Sequence, residues 1–82
     1  MSPDRFRTIR LGLGLTQEEL AKALGLGKKT VTQYEIGFRK PGATVAIIMS
    51  VLGSLPEPRA KEFLELLRSH AEKLESESSR RR

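Results

Sequence analysis

The 82-residue sequence has no cysteine and no tryptophan, a single tyrosine and three phenylalanines. Without cysteine there is neither a disulfide framework nor a thiolate metal site, which fits a reducing compartment without requiring one. His70 and Asp4 are the only residues of their kinds. No glycine-rich phosphate loop and no metal-ligand spacing accompany them, so no enzyme, catalytic residue, metal or cofactor is expected. The longest apolar run, Val45 to Leu52, is too short to cross a bilayer, so no membrane partner is expected. Ser2-Pro3-Asp4 and the arginines that follow have no apolar run behind them and do not read as a signal peptide.

Acidic residues are scarce where basic ones gather. The chain has 15 Lys+Arg against 10 Asp+Glu, net +5. Residues 1–55 hold 8 basic and 4 acidic side chains, and residues 56–79 hold 4 basic and 6 acidic. Arg80, Arg81 and Arg82 carry the remaining +3. A surface for a polyanion would therefore lie in the first two-thirds.

The length implies one domain, expected to span residues 1–75. Five helices are expected. The first runs from Pro3 to about Leu11. It is capped by Ser2, led by Pro3 and Asp4, buried at Phe6 and Ile9, and ended by Gly12 and Gly14. The second begins at Thr16, where Thr16 and Glu19 form a capping box and Leu15 and Leu20 a hydrophobic staple. Gly25 stops it, and Leu20, Ala21 and Leu24 face inward. The third runs from about Lys28 to Ile36, with Gly27 at its N-cap and Gly37 at its end. On its helical wheel Lys28, Lys29, Thr32, Gln33 and Ile36 share one side, and Val31, Tyr34 and Glu35 the other. A basic loop, Phe38 to Gly42, leads to a buried fourth helix over about Ala43 to Leu52. That run is rich in β-branched residues, but no second strand-like run exists to pair with it. The fifth helix is expected over Glu57 to Glu75, with Ala60, Phe63, Leu64, Leu67, Ala71 and Leu74 on one stripe. Residues 76–82, all Ser, Glu and Arg, read as a disordered basic tail.

The frame Leu15-Thr16-Gln17-x-x-Leu20-Ala21, then Gly25, Thr30-Val31, Tyr34-Glu35, Gly37 and Lys40-Pro41 resembles the helix-turn-helix family of phage Cro and repressor proteins, the XRE family. The resemblance covers about residues 5 to 52. It implies an all-α, five-helix lambda-repressor-like DNA-binding domain, here with a longer C-terminal helix, whose helix-turn-helix spans 16–37. It implies a sequence-specific regulator of transcription, a repressor that occupies a double-stranded, palindromic operator in the cytoplasm, associated with the nucleoid. Lys28, Lys29 and Gln33 match base-reading positions, and Thr32 shares their face. Lys is a good partner for guanine O6 and N7, and Gln for adenine N6 and N7. Arg10, Gln17, Thr30, Arg39 and Lys40 are placed as phosphate contacts, with Gln17 also buttressing the start of the third helix and Arg10 also pairing with Glu35. A carboxylate facing DNA would be repelled, so Glu35 should point inward.

Plainer readings stand beside these. Lys28 and Lys29, taken alone, are ordinary solvated charges, and Arg10–Glu35 could be a surface pair worth under ~1 kcal/mol. Ile36 either touches a thymine methyl or is simply exposed. The stripe of the fifth helix either packs only on its own core or forms a homodimer seam through Phe63, Leu67 and Leu74. Two rival functions remain: the antitoxin of a toxin–antitoxin pair, which binds a toxin partner and autoregulates its operon, and a bridging coactivator.

Overall fold

The computed structural model describes residues 1–80 of the chain. These form α1 (Pro3–Gly12), α2 (Gln17–Leu24), α3 (Lys28–Ile36), α4 (Ala43–Ser54) and α5 (Glu57–Arg80), with no strand among the described residues.

Each helix boundary follows from local chemistry. The Ser2 hydroxyl accepts the Arg5 N–H at 3.1 Å and Pro3 opens α1. Gly12 stays helical, one residue past the expected end, and Gly14 makes the left-handed turn at φ +72°. At α2 the capping box closes from both sides: Glu19 N–H to Thr16 Oγ1 at 3.1 Å and Thr16 N–H to Glu19 Oε1 at 2.9 Å. These bonds to Thr16, from backbone and side chain, lower the Glu19 pKa. Gly25 then adopts φ +70°, and the Leu26 N–H reaches back to the Ala21 carbonyl at 2.8 Å. This reversal needs a residue without Cβ strain, and the whole link to α3 is the three residues Gly25, Leu26 and Gly27.

α4 runs two residues beyond the expected Leu52. It stops where Leu55, which precedes Pro56, is forced extended at ψ 144°. The close approach of α1 explains why Gly53 sits inside the helix: a Cβ there would lie 3.1 Å from Ile9 Cδ1 and Cγ1. The fifth helix departs from expectation more. Ser76–Arg80 continue α5 rather than forming the start of a disordered tail. No glycine or proline follows Pro58, and Glu and Arg are good helix formers, so nothing there stops the helix. The tail assignment for Arg81 and Arg82 falls outside the described residues.

The core is built around α2, which packs on both α3 and α5, while α1 packs on α3 and α4, and α4 on α5. Phe6, Leu20, Ala21, Val31, Tyr34, Met49 and Leu52 are buried together. Burying a side chain such as Phe6 or Leu20 contributes about 1.5–3 kcal/mol each. Phe6 and Tyr34 meet edge to face with centroids 5.5 Å apart, which ties α3 to α1. Ile9, expected inside, is half-buried at the rim of this cluster.

Candidate nucleic-acid interface

The inner side of α3 is locked by one polar network. Arg10 Nε donates to Glu35 Oε2 at 2.6 Å and Arg10 Nη2 to Glu35 Oε1 at 2.9 Å. Arg10 Nη1 donates to the Leu15 carbonyl at 2.8 Å, so the same guanidinium also fixes the chain entering α2. The two side chains are 10% and 4% exposed, which makes this a buried, two-pronged ion pair rather than a surface one. Burial alone would raise the Glu35 pKa. The hydrogen bonds from Arg10 and Gln17 and the Arg10 charge outweigh it and leave the pKa lowered. The Arg10 pKa is raised, chiefly by its bond to Glu35, against the opposing effect of burial.

Gln17 extends the network from the first position of α2. Its Nε2 donates to Glu35 Oε1 at 3.2 Å, and its Oε1 accepts from Thr32 Oγ1 at 2.7 Å. Only this amide orientation works, because the reverse would set the Gln17 oxygen against the Glu35 carboxylate. Thr32 Oγ1 also lies 3.1 Å from the Lys28 carbonyl, but a hydroxyl has one proton and the contact to Gln17 is the shorter. Gln17 therefore braces the middle and end of α3, not its start. The Thr32 hydroxyl, expected on the outward face, is engaged from behind. Among the described residues no buried side-chain nitrogen or oxygen lacks a partner.

The outer side is the opposite. Lys28 and Lys29 are exposed, and Thr30 and Gln33 are half-buried. Among the described residues, none of these four side chains forms a hydrogen bond or ion pair. No acid stands in the first turn of α3, so the positive end of its dipole adds to the two lysines. Gly37 at φ +82° ends the helix, the Phe38 N–H bonds back to the Gln33 carbonyl at 2.9 Å, and exposed Arg39 and Lys40 follow. Arg10 differs from the other expected phosphate contacts: it lies inside, with only the outer N–H groups of its terminal nitrogens uncommitted.

On α5, Phe63 and Leu67 are half-buried against the chain's own core, whereas Leu74 is 68% exposed. Leu66, absent from the expected seam, is 56% exposed. It lies eight residues before Leu74, so the two share a side of the helix. That spacing was present in the sequence but lies at the edge of the main stripe.

The family described as helix-turn-helix matches residues 6–53. A protein of Archaeoglobus fulgidus named "Putative HTH-type transcriptional regulatory protein" is 33% identical over 79 residues, covering 94% of this chain and 26% of the relative. The chain thus spans about a quarter of that relative's length. No solved structure gives a significant match.

Proposed function

The chain belongs to the helix-turn-helix family of the phage Cro and repressor type, and from that membership we propose that it binds double-stranded DNA sequence-specifically as a homodimeric regulator of transcription. The observation that carries this reading is the division of α3. On its inner side both oxygens of the Glu35 carboxylate are bonded, while Lys28, Lys29 and Gln33 are left with donors and acceptors for base edges in the major groove. Arg39 and Lys40 lie beyond the end of α3, where they would hold phosphates, with Thr30 in its first turn and Gln17 at the start of α2 as further phosphate contacts. Repression follows by occupancy of the operator. The name of the Archaeoglobus fulgidus relative supports the regulatory reading.

Exposed Leu66 and Leu74 support a two-fold seam on α5, beside the half-buried Phe63 and Leu67. Such a dimer would read half-sites about 34 Å apart. Selection of sites from random duplex DNA tests both parts: a palindromic consensus is expected, and no enrichment at physiological salt would refute DNA reading.

The antitoxin reading draws on a different observation. A cleft between the end of α2 and distal α5 is lined by Leu24, Leu26, Ile48, Leu67 and Leu74 and could seat a partner protein. A second protein in equal amount after purification from the source would favour it.

A further inference from the structure

Ile36 is 71% exposed at the end of α3, on the same side of the helix as Lys28, Lys29 and Gln33. An apolar residue of this size on a basic surface gains nothing from water and nothing from phosphate. The C-terminal geometry keeps it there. Phe38 N–H to Gln33 C=O is the bond of a Schellman ending, which usually brings an apolar contact between these two positions. Here the earlier position is Gln33, so the ending supplies no apolar mate, and Phe38 itself is 73% exposed. Among the described residues, therefore, nothing covers the end of this face, and Ile36 is continuous with it.

We propose that Ile36 is a specificity-determining residue that reads the 5-methyl group of thymine in each half-site. The occupant follows from the chemistry. The neighbouring lysines and the arginine and lysine of the next loop select a polyanion, and the apolar group that base edges present in a major groove is the thymine methyl. The inference rests on the DNA-binding reading given above. It adds a contact that needs no hydrogen bond and discriminates thymine from bases that lack a methyl.

The test replaces each thymine of the selected site in turn by deoxyuridine, which removes only the methyl. Binding by the parent chain should weaken about fourfold per half-site at one symmetry-related position, the effect of exposing roughly one buried methyl-sized group. Ile36→Ala should lower affinity for the thymine site by a similar factor and abolish the difference between thymine and deoxyuridine there, whereas Ile36→Val should retain most of it. Because the side chain is exposed, both variants should unfold at the parent's temperature. A selected site indifferent to every thymine methyl, or a methyl effect that survives Ile36→Ala, overturns this inference while leaving DNA reading intact. A chain that selects no site at all removes both.

Discussion

The two sides of α3 come from nine consecutive residues but obey opposite rules. On the inner side Val31 and Tyr34 are buried and Glu35 has both carboxylate oxygens bonded. On the outer side Lys28, Lys29 and Ile36 face solvent, and Gln33 has no protein partner among the described residues. A helix whose own polar groups were satisfied on both sides would be stable and unable to read anything. One with unsatisfied groups on both sides would not hold its position. Under the proposed function, stability and recognition are separable along this helix by face, and substitutions can test that separation.

The largest effect should come from the inner side. Arg10→Ala leaves the Glu35 charge nearly buried with Gln17 as its remaining partner. Breaking a buried pair in this way costs about 3–5 kcal/mol, measurable by urea unfolding. A loss under ~1 kcal/mol would instead mean that the pair behaves as a surface one. The double change Arg10→Met with Glu35→Leu should recover much of the stability, since well-packed apolar replacements of buried pairs are often neutral.

Lys28→Ala on the outer side should leave the unfolding temperature unchanged and weaken operator binding by ~1–3 kcal/mol, with relaxed preference at one base pair. A change in melting without a change in specificity would erase the distinction between the faces.

Acid should act on the inner side through Glu35. The folded pKa of Glu35 is lowered from 4.5, so its stabilisation is complete above that value and is lost as pH falls through the lower folded pKa. Stability measured across this acid range should therefore fall less steeply in Glu35→Gln than in the parent. The slope that remains includes Glu19, whose pKa is also lowered. Equal slopes in the two proteins would remove Glu35 as a cause.

The smallest effect is expected in the loop. Arg39→Ala should weaken all sequences alike and reduce the slope of log affinity against log salt by about 0.9, with stability within roughly 0.5 kcal/mol of the parent.

Much of this was legible in the sequence because it was written in short-range chemistry. Thr16 and Glu19 lie three residues apart, Gly25 and Gly37 each end a helix, and the wheel of α3 alone separates Glu35 from Lys28. The Arg10–Glu35 pair was legible only through the resemblance and the argument that a carboxylate avoids DNA, since 25 residues separate the two. What escaped depends on where a side chain turns in three dimensions. Thr32 shares the outward wheel position but gives its hydroxyl to Gln17. Gln17 braces α3 further along than expected because α2 crosses it near Thr32 and Glu35. The extension of α5 to Arg80 was missed for another reason: a run of Ser, Glu and Arg lacks an apolar stripe, yet contains nothing that breaks a helix.

The division of labour on α3 is tested most directly by titrating Gln33→Ala against the selected operator and against a scrambled duplex of equal length and charge. Affinity for the operator should fall towards that for the scrambled duplex, with scrambled binding and melting temperature both unchanged. If the variant binds both duplexes as the parent does, the outer face of α3 does not read sequence.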